Sequence, residues 1–169
     1  RYPKEWGGRG LDWVATAMVM EEVGTLGYIF ACIFGVGAEL VCGAIIQHGT
    51  DRLKEKYVRP LLAGEIFAAE CLTEPRGGSD FFGTATTATE AGGGFLLNGQ
   101  KRFIVGAEGA DYFLVYARTD SDPQADPRKA LTAFIVDVGG EGARFLTVPV
   151  DMAAIDYQES IIELPYRAE

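Results

Sequence analysis

The sequence predicts an α+β protein, with an N-terminal helical segment followed by a small antiparallel β-barrel or sandwich domain. Three observations carry this. Residues 11–64 place apolar side chains at helical spacing and hold few β signals. From Ile66 onward the texture changes to short apolar runs separated by glycine, proline and aspartate clusters. In addition, 48% of the 169 residues are hydrophobic, enough to build a core in each part. The expected domains are 1–65, helical, and 66–169, β.

Asp12 is placed to cap the first helix, and Ala15, Met18, Val19 and Glu22 follow at helical spacing until Gly24 stops the run. The apolar stretch 28–46 reads as a buried central helix. Its charge-free run, 23–38, falls short of the roughly 18 residues that a membrane-spanning helix needs, so no span is expected. Thr50 caps a further helix in which Leu53, Tyr57 and Leu61 share a face while Lys54, Glu55 and Lys56 face water; Pro60 is expected to end it. Strands are expected at 66–72, 85–90, 95–97, 102–105, 112–118, 131–136, 145–150 and 161–164. Asn98-Gly99, between two apolar runs, carries the signal of a type I′ hairpin. Residues 119–129, rich in Asp and Pro, read as a long exposed loop.

Composition excludes several functions. A net charge of −9 argues against nucleic acid, because phosphate neutralisation needs a basic face. Cys32, Cys42 and Cys71 include no Cys-x-x-Cys pair, which fits reduced thiols in a cytoplasmic-type compartment. One histidine, His48, cannot build a histidine-rich metal site, so no metal is expected and a structural role at a helix end is. No signal-peptide pattern is visible.

The chemistry concentrates in Cys71-Leu72-Thr73-Glu74-Pro75-Arg76-Gly77-Gly78-Ser79-Asp80. Pro75 fixes its own φ and pushes Glu74 toward extended geometry. Gly77 and Gly78 let the backbone turn sharply and present N–H groups, while Thr73 and Ser79 add hydroxyls. Such a loop can hold a phosphate or a polar heterocycle, or it can be an ordinary turn punctuated by Gly and Pro.

A second block, Asn98-Gly99-Gln100-Lys101-Arg102-Phe103-Ile104-Val105, changes that balance. Together the two blocks resemble the middle-domain signature of the acyl-CoA dehydrogenase family. Further matches are Pro3-Lys4-Glu5-Trp6-Gly7-Gly8-Arg9-Gly10, Glu21-Glu22-Val23-Gly24, His48-Gly49-Thr50 and Gly64-Glu65. The resemblance covers nearly the whole chain in unbroken order.

The resemblance implies FAD as cofactor, an acyl-CoA substrate, and transfer of a hydride from the substrate β-carbon to the flavin. It implies that Cys71, Leu72 and Thr73 lie at the pyrimidine edge of the flavin, and that Gly78 and Ser79 lie at the FAD pyrophosphate, with Ser79 also meeting the acyl-CoA. Phe103 stands where the family usually has tryptophan, against the flavin face, followed by Ile104 and Val105. The resemblance also implies a dimer or tetramer of this chain, an electron-transferring flavoprotein or other acceptor, and a role in fatty acid metabolism, in the cytoplasm or a mitochondrial matrix. The family's catalytic carboxylate belongs to a C-terminal helical domain that these residues do not include, so the catalytic residue is unknown here. Glu70 belongs to a strand and Glu74 to the turn, and neither is a candidate base. Four positions depart from the family pattern: Val105 replaces a threonine at flavin N5, Gly106-Ala107 replaces Asn-Gly, and Arg76 brings a charge into the glycine loop. An acyl-CoA oxidase or flavin monooxygenase on the same fold, or a non-catalytic subunit that kept it, are the alternative expectations.

Overall fold

A computed structural model describes residues 1–92, 94–122 and 124–139, together with the backbone of strands Arg144–Pro149 and Gln158–Ala168. The chain divides into two compact units: Arg1–Glu70 with Gly109–Asp111, and Cys71–Glu108 with Tyr112–Glu169.

The first unit is helical. Its helices are α1 (Trp13–Thr25), α2 (Tyr28–Phe34), α3 (Cys42–His48), α4 (Asp51–Leu53) and α5 (Arg59–Ala63). Asp12 caps α1 by accepting from Ala15 N at 2.8 Å, and Thr50 caps α4 by accepting from Leu53 N. Two π-helical segments, Gly35–Val41 and Lys54–Val58, join α2 to α3 and α4 to α5. Each wide turn shifts the phase of the buried face, so that Gly37, Val41, Cys42 and Ile45 face inward, as do Tyr57 and Val58. The N-terminal segment packs on this face: Tyr2 is buried, its hydroxyl donates to Glu39 O, and Arg1 pairs with Glu39 at 2.6 Å.

Two expectations for this unit are corrected. Pro60 does not end the helix, because it sits in the first turn of α5, where its missing N–H is tolerated; the chain stops at Gly64, in the left-handed region at φ 74°. The apolar helix is continuous over Tyr28–His48, 21 residues, long and apolar enough to cross a membrane by length and composition. Only one face of it is buried within this chain, since Ile29, Phe30 and Leu40 are exposed and Glu39 pairs with Arg1. Its glycines do not break it: Gly35 and Gly37 lie in the π segment and Gly43 in α3.

The strands are β1 (Ala68–Cys71), β2 (Thr87–Ala91), β3 (Gly94–Lys101), β4 (Tyr112–Arg118), β5 (Leu131–Asp137), β6 (Arg144–Pro149) and β7 (Gln158–Ala168). Just before β1, Phe67 N donates to Asp111 Oδ2 and Asp111 N returns a bond to Phe67 O, an exchange inside the first unit. In the second unit β4, β2, β3, β7 and β6 follow one another across the sheet, with β5 paired to β4. The β2–β3, β3–β7, β6–β7 and β4–β5 pairs are antiparallel, while β2 meets β4 in parallel at Thr87 and Arg118. The sheet is therefore mixed, and among the described residues its path stays open. Leu97, Phe113, Leu114, Val115, Phe134 and Val136 are buried in this unit, with Phe95 edge-on to Phe134 at 5.2 Å.

The hairpin expected at Asn98-Gly99 is not present. Both residues lie inside β3, where Asn98 pairs with Thr87 and Gly99 with Leu164, and the actual reversal joins β2 to β3 just after Ala91. Gly99 is there for close approach: a Cβ on it would lie 2.4 Å from Thr86 Oγ1 and 2.6 Å from Thr86 Cα. Residues 102–105 are not a strand either, because β3 ends at Lys101 and Phe103 takes φ 57°. The Asp-rich loop is organised by its own carboxylates: Asp120, Asp122 and Asp126 accept from Asp122 N, Gln124 N and Arg128 N. Val150, part of the expected strand at 145–150, lies outside the described residues. Cys42 and Cys71 are buried, Cys32 is half-buried, and all three are free thiols.

Two glycine substitutions separate these roles. Gly99→Ala should cost about 1–3 kcal/mol by overpacking against Thr86. Gly24→Ala, with no atom within 4 Å of the added methyl, should gain about 0.5–1 kcal/mol in helix α1. Thermal unfolding of both variants checks the contrast.

Candidate functional site

The site residues all fall in the second unit, and a buried ion pair organises them. After Cys71 at the end of β1, Leu72 and Thr73 lead into a tight reversal. Glu74 N donates to Gly77 O at 3.2 Å and Gly77 N to Glu74 O at 2.9 Å, closing the Pro75-Arg76 corner. Gly77 takes φ 141°, open to glycine but hardly to other residues. A Cβ at Gly78 would come 2.8 Å from Thr73 Oγ1, so only glycine lets that hydroxyl lie against the returning chain. Asp80 then pairs with Arg76 and accepts from Gly83 N, which folds the Arg76 charge back onto its own loop.

Glu74 points inward and is only 3% exposed. Its carboxylate accepts from Ala85 N at 2.7 Å, Thr86 N at 2.9 Å, Thr86 Oγ1 at 2.6 Å and Lys101 Nζ at 2.9 Å. Burial alone would raise its pKa. The bonds from Thr86, Ala85 and Lys101 outweigh burial and bring it down to about 2. Lys101 is fully buried, and desolvation pulls its pKa below the ordinary lysine range, with Glu74 opposing that fall. Its ammonium also donates to Leu72 O at 3.4 Å. One lysine thus ties the end of β3 to both the carboxylate and the loop backbone.

The second block leaves β3 here. Arg102 N donates to Thr73 O at 2.9 Å, joining the stretch after β3 to the loop after β1. Phe103 follows in the left-handed region at φ 57°, with 53% of its surface exposed. A left-handed phenylalanine carries strain that the surrounding structure must hold, and such strain clusters at ligand sites. The Arg102 guanidinium lies 4.1 Å from the Phe103 ring centre. Ile104 is buried and accepts from Ala107 N, closing a turn that leaves Val105 42% exposed.

The predicted residues divide by what each can offer. Cys71 and Ile104 have buried side chains and could meet a ligand only through their backbone. Leu72, Thr73 and Gly78 are half-buried, whereas Ser79, Phe103 and Val105 are exposed. The Lys101 and Arg102 bonds bring Cys71, Leu72 and Thr73 together with Phe103, Ile104 and Val105. Ser79 lies on the far side of the Glu74 turn. Among the described residues neither Gly78 nor Ser79 gives its backbone N–H to a protein acceptor, so both donors are available to a ligand.

Sequence reasoning missed Lys101, Thr86 and Arg102. A signal for Lys101 existed: alternation along β3 puts it on the same face as buried Leu97, and a charge there requires a partner. Nothing comparable marks Thr86 or the Arg102 stack. A cavity of about 490 Å³ lined by Glu90, Ala91, Gly92, Gly94 and Phe95 sits at the opposite end of β3 from Lys101 and contains none of these groups. No metal-binding cluster occurs among the described residues.

Comparison with known proteins identifies the class. The family model of the acyl-CoA dehydrogenase N-terminal domain matches residues 1–65, and that of the acyl-CoA dehydrogenase middle domain matches 69–160. The chain belongs to the acyl-CoA dehydrogenase family. A 3-(aryl)acrylate reductase of Clostridium sporogenes is 40% identical over 145 residues, covering 86% of this chain and 38% of the relative. A mitochondrial isovaleryl-CoA dehydrogenase of Arabidopsis thaliana is 34% identical over 140 residues, 83% of this chain and 34% of the relative. The solved acyl-CoA dehydrogenase of Bacillus anthracis complexed with FAD superposes with a TM-score of 0.83 at 33% identity, covering 98% of this chain and 28% of that one. This chain therefore spans well under half the length of these relatives.

The buried pair makes two linked predictions. Glu74→Gln or Lys101→Met alone, each leaving a buried charge without its partner, should cost about 3–5 kcal/mol in denaturant unfolding. Because the folded pKa of Glu74 lies below the unfolded value of about 4.3, its contribution is complete above that pH. It is lost as pH falls toward 2. A Glu74→Gln variant should show a flatter acid limb in stability against pH.

Proposed function

We propose that the protein is a flavin-dependent acyl-CoA dehydrogenase that removes hydrogens from the α- and β-carbons of an acyl-CoA thioester with FAD as the hydride acceptor. The observation that carries this reading is Phe103, an exposed aromatic ring in a strained left-handed backbone, held beside the Thr73–Ser79 loop by the Arg102–Thr73 bond. The residues present fit the cofactor. An exposed ring suits stacking against a planar heterocycle, and the available N–H groups of Gly78 and Ser79 suit a pyrophosphate. Bound FAD would supply a two-electron acceptor that the chain's own side chains lack. Leu72 and Thr73 would meet the pyrimidine edge, and Cys71 and Ile104 would contribute backbone only. Ser79 would reach toward the acyl-CoA. The family membership and the FAD-complexed neighbour support this assignment.

The same reading includes an assembly of two or four copies, an electron-transferring flavoprotein or other acceptor, and a reducing compartment, cytoplasm or mitochondrial matrix. The three free thiols support the last point. The barrel or sandwich closure of the β domain also belongs to this proposal. One observation favours a second reading, an oxidase or monooxygenase on this fold: the exposed Val105 offers methyl groups where the family's threonine would offer a hydroxyl.

Purified protein that carries the family's C-terminal helical domain together with these residues should be yellow, release FAD on denaturation, and lose flavin absorbance when an acyl-CoA is added without oxygen. Protein with neither flavin nor this bleaching would overturn the reading. Phe103→Gly, which relieves the left-handed strain, should unfold no earlier than the parent protein. It should nonetheless bind FAD several-fold more weakly, since a lost aromatic stack is worth about 0.5–1.5 kcal/mol.

A further inference from the structure

Arg76 departs from the family pattern, and the chemistry proposed above gives its charge no task. It stands at the Pro75-Arg76 corner, whose base is fixed by buried Glu74 and by the paired backbone bonds between Glu74 and Gly77. Its guanidinium folds back on Asp80, with the two side chains 49% and 69% exposed. Asp80 divides its carboxylate: one oxygen takes Arg76, and the other accepts from Gly83 N at 3.1 Å. Glycine at position 83 makes room for this, since a Cβ there would overlap both the guanidinium and the Asp80 carboxylate. Among the described residues Asp80 is the only hydrogen-bond acceptor of Arg76, and Gly78 and Ser79 follow on the same turn with N–H groups that no protein acceptor takes.

We propose that Arg76 is a phosphate-binding residue parked on Asp80: its guanidinium exchanges that carboxylate for a diphosphate seated on the N–H groups of Gly78 and Ser79. The inference rests on the FAD and acyl-CoA reading above, since both molecules carry a diphosphate. Magnitudes favour the exchange. An ion pair as exposed as Arg76–Asp80 is worth little, because water screens it and ordering both side chains costs entropy. A guanidinium–phosphate contact is charge-assisted, can be bidentate, and here meets a group with more charge than one carboxylate. The backbone N–H groups seat the anion, so the arginine adds a bond without having to define the site. Asp80 opposes the ligand in two ways: it holds the guanidinium, and it brings a negative charge to the same loop.

The test compares the parent, Arg76→Ala, Asp80→Asn and the double variant, each in protein that carries the family's C-terminal helical domain. Arg76 is half-exposed, and asparagine keeps an oxygen for Gly83 N, so neither change disturbs the turn. Dissociation constants are measured for apoprotein with FAD and with riboflavin, which lacks phosphate. They are measured for holoprotein with an acyl-CoA and with the matching acyl-pantetheine, which lacks the diphosphate. Arg76→Ala should weaken the diphosphate ligand roughly tenfold, the size of one hydrogen bond to a charged group, and leave its truncated counterpart within about a factor of two. The arm in which this loss occurs names the source of the diphosphate, cofactor or substrate. Asp80→Asn should tighten the same ligand several-fold while Arg76 is present, and change nothing once Arg76 is alanine. FAD and acyl-CoA both bound by Arg76→Ala within a factor of two of the parent overturn the proposal and leave the FAD reading intact. So does an equal loss of the truncated ligands, or an Asp80→Asn effect that survives without Arg76. Parent protein that binds neither FAD nor acyl-CoA overturns the FAD reading itself.

Discussion

The ion pair between Glu74 and Lys101 is the constraint on which the second unit's loop architecture depends. Both side chains are buried, and the carboxylate is satisfied by four donors from three residues, Ala85, Thr86 and Lys101. A buried pair of this kind is weak evidence for stability, because desolvation consumes most of the Coulomb gain. Its value here is geometric. Glu74 can be buried only if the chain reverses at Pro75-Arg76 and the segment before β2 brings two N–H groups to it. Lys101 can be buried only if β3 ends where the carboxylate waits. Few arrangements of these three segments satisfy all the bonds at once.

From that constraint the candidate site follows. With Lys101 fixed, Arg102 can donate to Thr73 O, and the chain must then turn at Phe103. The turn places a phenylalanine in a region of backbone space that favours glycine, at a cost of about 1–2 kcal/mol. A strained residue whose ring remains half in water is poor packing for a core and good preparation for a flat ligand. Gly78 and Gly99 play the matching role on the backbone side, each allowing an approach that a single Cβ would block.

Much of the fold was legible in the sequence, and the failures have physical causes. The caps at Asp12 and Thr50, the change from helix to strand after Ala63, and β4 could be read from pattern alone, because each rests on local preference. The π segments could not be read, since a wide turn leaves composition unchanged and only shifts the phase of the buried face. Asn98-Gly99 misled because glycine serves two ends: it permits positive φ in a turn, and it permits close packing in a strand. Thr86, far along the chain, decided between them. Pro60 misled for a similar reason, since a proline that breaks a helix interior is tolerated in a first turn. At the candidate site, the loop around Gly77 and Gly78 announced itself through composition. The left-handed Phe103 gave no signal, because no residue type marks a strain that distant bonds impose. The largest gap was Lys101, whose alternation with Leu97 marks an inward charge only once 94–101 is recognised as a single strand.

The buried pair shapes the loops of the candidate site rather than merely stabilising the fold. Measuring FAD affinity of the Glu74→Leu, Lys101→Met double variant tests this most directly. Replacing both charges leaves no lone buried charge, but it strands the Ala85 and Thr86 donors, so unfolding should become easier by about 1–3 kcal/mol for each donor left unpaired. The loop would lose the bonds from Ala85, Thr86 and Lys101, and FAD should bind about tenfold more weakly or worse, 1.4 kcal/mol or more. A double variant that folds and binds FAD with the parent affinity would contradict the account.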